Sequence, residues 1–121
     1  MVEKLYVTWD DVDEFVQFVA DKFKHHNYTG VFGLPRGGLV LAVMLSHRLN
    51  IPLLMAPHEG CLIVDDIADS GKSLLHYTEN DTQFNKYSIM TMYYHERSQV
   101  VPDFYMYNKL DRWIVFPWEE K

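Results

Sequence analysis

The chain has 121 residues, 48% of them hydrophobic, a single cysteine and a net charge of -6. That length buries one core and hardly two, the lone Cys61 can form no internal disulfide, and the acidic balance argues against a nucleic-acid partner held by electrostatics, so any basic contact must be local. No apolar run reaches the length of a membrane span, and Met1, Val2, Glu3 and Lys4 lack a signal peptide's apolar region, so one cytoplasmic domain over residues 1–121 is expected. Val12, Phe15, Val16, Val19, Ala20 and Phe23 then recur at helical spacing after the cap-type residues Thr8 and Asp11, which predicts an amphipathic helix over one face of a sheet. Val31, Phe32, Gly33 and Leu34 predict a short buried strand. From 39 to 49 the chain is apolar nearly all round, as in a helix packed on several sides. Cys61, Leu62, Ile63 and Val64 predict the central strand, with Cys61 as a small core residue; a helix over 72–78 and a strand over 87–93 follow. Short extended pieces are expected at 104–107 and 113–115. Strands alternating with helices imply an α/β fold with a mainly parallel, doubly wound sheet.

The most informative stretch is where the central strand ends. Asp65 and Asp66 follow four apolar residues, and a short loop of Ser70, Gly71, Lys72 and Ser73 then opens into Leu74 and Leu75. Open α/β sheets place ligands at such strand ends, and the start of the next helix offers free N–H groups and a positive dipole end to a phosphate. Ser70 and Ser73 add hydroxyl donors, Gly71 permits close approach, and Lys72 adds charge. The carboxylates of Asp65 and Asp66 would repel a phosphate, so they suit the two hydroxyls of a ribose or a hydrated Mg²⁺. Each residue alone would read as a cap, a turn or a solvated charge; together they fit a ribose with its 5′-phosphate. The spacing is not that of a P-loop, since one glycine precedes Lys72 and Ser73. A second strand end, Leu34 and Pro35 followed by Arg36, Gly37 and Gly38, reads by itself as a tight turn whose glycines permit unusual backbone angles. Beside the first loop it reads as a diphosphate cradle. The six histidines show no metal-ligand spacing.

Residues 64–73 resemble the phosphoribosyl-pyrophosphate (PRPP) motif of type I phosphoribosyltransferases, with Ser70 and Ser73 where threonines are common. Val7-Thr8-Trp9-Asp10 and Arg36-Gly37-Gly38-Leu39-Val40 are similar to segments of bacterial xanthine-guanine (6-oxopurine) phosphoribosyltransferases. The run from Asp111 and Arg112 through Trp113, Ile114, Val115, Phe116, Pro117 and Trp118 to Glu119 resembles that family's base-binding segment. The resemblance implies a type I phosphoribosyltransferase fold with a small C-terminal base-binding hood. It implies transfer of the 5-phosphoribosyl group of PRPP to N9 of a purine base, with pyrophosphate released, as in purine salvage. Mg²⁺ as cofactor and association into homo-oligomers are implied in the same way. Carried over by position, Asp66 would hold Mg²⁺ or the ribose and Asp65 the ribose hydroxyls. The motif residues from Ile67 and Ala68 through Asp69, Ser70, Gly71, Lys72 and Ser73 would surround the 5′-phosphate. Asp69 would also face the base and its proton, while Arg36 and Gly37 would hold the leaving pyrophosphate beside a peptide often cis in the family, here Pro35–Arg36. Trp113 would stack on the purine, with main-chain groups of Trp113 and Ile114 on its polar edge; Phe116, Pro117 and Trp118 are expected to be structural.

Two positions depart from the family. A long hairpin that closes over the family's site lies before the PRPP strand, whereas here only Pro57, His58, Glu59 and Gly60 separate Leu53, Leu54, Met55 and Ala56 from Cys61. The family's lysine for the purine 6-oxo group falls on Tyr94, a donor without fixed charge. Two readings stay open: a purine phosphoribosyltransferase without its lid, and a non-catalytic PRPP- or nucleotide-binding protein of the same fold. Intact Asp65, Asp66, Asp69 and Arg36 favour the enzyme.

Overall fold

A computed structural model describes residues 2–79 and 87–119. In chain order the elements are β1 (Lys4–Tyr6), α1 (Trp9–Phe23), β2 (Val31–Gly33), α2 (Gly37–Leu49), β3 (Leu62–Ala68), α3 (Lys72–Glu79), β4 (Ser88–Tyr94), β5 (Phe104–Asn108) and β6 (Trp113–Val115). The strands β2, β3, β4 and β5 form one sheet in that order, and every pairing in it is parallel. β1 and β6 make a separate two-stranded parallel sheet, with Leu5 opposite Ile114. The expected doubly wound α/β architecture is what forms.

Alternation along β3 explains why both faces are covered. Leu62 and Val64 enter a core with Val12, Phe15, Val16 and Val19 of α1 and Leu41, Ala42 and Leu45 of α2. Cys61 and Ile63 face the other way, into a smaller core with Leu74 of α3. Successive side chains on a strand point to opposite faces, so a sheet covered on both sides needs apolar residues at each position. Cys61 is fully buried, in keeping with its expected role. Thr8 caps α1 as a capping box: Asp11 N–H donates to Thr8 Oγ1 at 3.1 Å and Thr8 N–H to Asp11 Oδ2 at 2.9 Å.

Three expectations need correction. α2 packs along one stripe of Gly38, Leu41, Ala42 and Leu45, while Leu39 and Val43 lie 44% and 41% exposed on its outer side. An all-round apolar sequence does not fix how many neighbours a helix finds. β3 runs to Ala68, four residues past Val64, because β4 continues the ladder with Asp65 opposite Thr91, Ile67 opposite Tyr93 and Ala68 opposite Tyr94. The third concerns β1, a strand to which the sequence reading gave no element; its partner β6 is remote in the chain.

Leu53 forms a single parallel bridge to Val31 on the outer side of β2. Leu54 N–H donates to Val31 O at 2.8 Å, and Leu62 N–H donates to Gly30 O at 2.9 Å, so the chain passes from one side of β2 to the other beneath its first residue. A strand cut to one pair never climbs to the far edge of the sheet, and a short link therefore suffices. The 57–60 segment sits at the N-terminal edge, where Thr29 N–H donates to Gly60 O at 3.0 Å. Among the described residues no helix is long and apolar enough to cross a membrane.

Candidate active site

From β2 the chain winds outward through α2 to Leu53, and from β3 it winds the opposite way through α3 to β4 and β5. Strand order reverses between β2 and β3, and open α/β sheets open their ligand crevice at such a point, beyond the carboxyl ends of the strands. β2 leaves the ladder after Gly33, with Leu34 N–H donating to Val64 O at 3.0 Å, whereas β3 goes on. The side of β3 that β2 abandons carries Asp65 and Asp66. A cleft of about 870 Å³ opens there, with Arg36, Gly37, Val40, Asp66, Trp113 and Glu119 among its walls.

The Pro35–Arg36 peptide is cis, at the expected bond. Gly37 and Gly38 serve close approach rather than unusual backbone angles. A Cβ on Gly37 would stand 1.9 Å from Asp66 Oδ2, and one on Gly38 2.5 Å from Val64 O. Neither glycine has a positive φ. The missing side chains let the start of α2 rest directly on β3 and bring Arg36 to the same cleft as Asp66.

Both carboxyls are pushed above the usual carboxylate range. Burial pushes Asp65 up to about 9, with the charge of Asp66 adding to the effect. Burial also raises Asp66, and Glu119 across the cleft adds to it. Asp66 N–H donates to Asp65 Oδ1 at 2.8 Å. Thr91, in register beside Asp65, is fully buried with an unpartnered hydroxyl, so that wall supplies no counter-charge. The native state therefore keeps a proton on Asp65 that the unfolded chain loses near pH 4, and stability falls as pH rises from there to about 9. Asp65→Asn should raise the melting temperature at pH 8 by about 5 °C or more. The gap should close at pH 4, and PRPP should bind more weakly; thermal melts at both pH values and titration with PRPP check this. Two crowded carboxyls lacking a cation suit a hard divalent ion such as Mg²⁺. Among the described residues no group of three or more acidic, His or Cys side chains could hold a metal ion.

The second loop, 69–73, lies at the end of β3. Gly71 takes φ +79 and is buried, and a Cβ on it would stand 2.5 Å from Ser98 Oγ, so only glycine fits. Ser70 Oγ accepts the Lys72 N–H at 3.3 Å, and Gly71 O accepts the Leu75 N–H that opens α3. A pocket of about 100 Å³ is lined by Asp65, Ile67, Asp69, Ser70, Gly71, Lys72 and Ser73. Ala68 does not belong to the loop: it is a buried member of β3 paired with Tyr94. Asp65 and Asp66, neighbours on a pleated strand, thus serve different pockets.

Asp69 departs from the expectation that it stands ready for a base. Its Oδ1 accepts from Arg97 Nε at 2.9 Å, lies 2.7 Å from another nitrogen of the same guanidinium, and is 4.0 Å from Lys109 Nζ. Arg97 and Lys109 come from the turns after β4 and β5, and local sequence held no sign of either. Tyr94 also needs correction. It lines no part of the Trp113 cleft, because its ring stacks on Tyr105 with centroids 4.5 Å apart.

The hood holds the remaining residues. Trp113 is 61% exposed and lines the cleft, as a stacking platform requires. Its N–H is taken, donating to Glu3 O at 2.7 Å. In a parallel ladder alternate residues turn both main-chain groups outward, so Ile114, whose side chain is buried, keeps its N–H and carbonyl for a ligand while Trp113 does not. Phe116 is buried, as expected. Trp118 stacks on Phe116 at 5.0 Å yet also lines the cleft, joined by Val115 and Glu119 of the same segment and by Lys4 and Tyr6, which no motif covered.

No family model matches the chain. The xanthine-guanine phosphoribosyltransferase of Idiomarina loihiensis is 25% identical over an alignment of 143 positions, covering 96% of this chain and 87% of that one. The crystal structure of a purine phosphoribosyltransferase from Pyrococcus horikoshii is 31% identical, with a TM-score of 0.85 over 98% of this chain and 95% of the other. The chain belongs to the purine phosphoribosyltransferase family. A Helicobacter pylori xanthine-guanine-hypoxanthine phosphoribosyltransferase shares the fold at 19% identity and a TM-score of 0.75. Set against its bacterial relatives, this phosphoribosyltransferase is short: the Idiomarina alignment runs to 143 positions against 121 residues here. The four-residue link under β2 lies on the side of the sheet away from the cleft and covers nothing.

Proposed function

We propose that the chain transfers the 5-phosphoribosyl group of PRPP to N9 of a purine base and releases pyrophosphate. The observation that carries this reading is the meeting of Arg36, Gly37, Asp66 and Trp113 on one cleft, beside the 69–73 loop. N–H groups and hydroxyls of 69–73 cradle the 5′-phosphate, and Asp65 and Asp66 accept the ribose hydroxyls. Trp113 stacks on the base, a contact worth roughly 1–3 kcal/mol. As the bond from ribose C1 to the pyrophosphate oxygen breaks, positive charge gathers on C1, and the carboxylates beneath it offset that charge. Arg36 and the adjoining N–H groups receive the departing pyrophosphate. N9 supplies the electron pair of the new bond, and Asp69 takes the proton released from N7. Asp66, with Asp65, would hold Mg²⁺ jointly with the pyrophosphate, and the bound ion supplies charge neutralisation of that leaving group. The protein is read as cytoplasmic and self-associating, with no nucleic-acid or membrane partner.

The test is pyrophosphate release with Mg²⁺, PRPP and each purine base in turn, together with PRPP binding by calorimetry. Base-dependent release is expected. Because nothing from 57–60 covers the cleft, water should compete for the ribosyl group, so release without base should form an appreciable share of the total. Negligible release without base would mean that another segment or a second subunit closes the site. PRPP binding with no release under any condition would identify a non-catalytic binding protein.

A further inference from the structure

Thr91 stands at the middle of β4, fully buried, and among the described residues its hydroxyl has no hydrogen-bond partner. Buried hydroxyls are almost always paired, so an orphan at this depth calls for an acceptor. Alternation along the strands identifies one. Thr91 shares a face of the sheet with Ile89, and Asp65 shares that face with Ile63; both isoleucines lie in the core with Leu74 of α3. On that face Thr91 and Asp65 are side by side in register, while Tyr105, in register on the other side, stacks its ring on Tyr94. Ile63 and Ile89 offer the hydroxyl nothing. Neighbouring strands lie about 4.8 Å apart, so a carboxyl oxygen of Asp65 turned toward β4 meets Thr91 Oγ1 at hydrogen-bond distance. Asp65 is turned elsewhere, its Oδ1 accepting the Asp66 N–H at 2.8 Å. A β-branched residue is stiff at χ1, so Thr91 Oγ1 stays in place, whereas the carboxyl of Asp65 turns readily about its last torsion.

We propose that Thr91 is a positioning residue for the ribose: when the ligand draws the Asp65 carboxyl round, the Thr91 hydroxyl donates to one of its oxygens and fixes the plane in which it accepts the ribose hydroxyls. The inference rests on the transferase reading above. With the Asp66 N–H on one oxygen and Thr91 on the other, the remaining lone pairs of the carboxyl point in set directions. The same hydroxyl destabilises the free protein, where it is unpaired, and stabilises the bound one, where it is not.

Calorimetry with guanosine 5′-monophosphate, its 2′,3′-dideoxy analogue and PRPP with Mg²⁺ tests this on wild type, Thr91→Val, Thr91→Ser, Asp65→Ala and the double variant Asp65→Ala with Thr91→Val. Wild type should prefer the nucleotide that carries both ribose hydroxyls. Thr91→Val should melt no lower than wild type in the absence of ligand, because the hydroxyl it removes has no partner there. It should nevertheless bind the hydroxyl-bearing nucleotide and PRPP roughly 10-fold more weakly and leave the dideoxy nucleotide as in wild type. Thr91→Ser, which keeps the donor, should restore the preference. In the Asp65→Ala background Thr91→Val should have no further effect on either nucleotide, since the partner it acts through is gone. Should Thr91→Val fail to fold, Thr91→Ala is judged by the same ratio of the two nucleotides. An unchanged ratio, equal loss of both nucleotides, or a full effect of Thr91→Val without Asp65 overturns the inference. Wild type that binds PRPP but holds the two nucleotides equally overturns it alone, whereas wild type that binds neither PRPP nor nucleotide overturns the transferase reading itself.

Discussion

Asp69→Asn is expected to lower kcat by about 10²–10⁴-fold, the usual loss when a proton-transfer group is removed, while PRPP affinity changes far less. The substitution keeps the volume of the side chain and removes its charge. Arg97 holds that charge at 2.7 Å, so in the proposed reaction the base meets an Asp69 already oriented by a guanidinium. The guanidinium fixes where the carboxylate oxygens lie before a base arrives. Arg97 lies 61% exposed and can swing aside without disturbing the core. Steady-state kinetics with the base varied at saturating PRPP, alongside PRPP calorimetry, check the expectation. An unchanged kcat would remove Asp69 from the mechanism.

A second large effect should separate two adjacent glycines. Gly38→Ala puts a Cβ 2.5 Å from Val64 O and 3.2 Å from Asp65 Cα, atoms of a strand bonded on both sides that cannot retreat. Overpacking of that kind costs about 1–3 kcal/mol, which lowers the melting temperature of a chain this size by roughly 5–15 °C. For Gly37→Ala the nearest atoms belong to the Asp66 carboxylate, at 1.9 Å, and a side chain can turn away. Its fold should survive and its PRPP affinity should fall, since Asp66 is driven from its place in the cleft. Melting curves and PRPP titrations of the two variants tell them apart; equal loss of stability in both would show that Asp66 is as fixed as the backbone.

What could be read from the sequence followed from locality. α1 was legible because its cap and its apolar stripe lie within sixteen residues of one another, from Thr8 to Phe23. The 69–73 loop was legible because one short run carries the strand end, the glycine and the helix start. The end of β3 was not, since Asp65 and Asp66 look like a strand end until β4 is known to pair beside them. β1 and β6 exist only as partners, joined across the length of the chain. For the same reason the setting of Asp69 was hidden: Arg97 and Lys109 reach it from later turns, and no spacing rule links residues that far apart. Glycine spacing suggested freedom of the backbone at Gly37 and Gly38, whereas the fold uses their lack of a side chain.

The hood is joined to the rest through packing and not through the main sheet. Among the described residues its two strands pair with each other and with no strand of the main sheet, and Ile114 and Phe116 anchor them by burial. A two-stranded ribbon has little stability of its own. The proposed purine platform, Trp113, is therefore supported by the opposite end of the chain, through Glu3 and Lys4, while the loops proposed to hold the phosphates belong to the four-stranded sheet. On the proposed reading, a fusion or deletion ahead of Val7 would act on the grip for the base and spare the grip for the phosphates, so the two halves of the ligand would be answered by parts of the molecule that can fail separately.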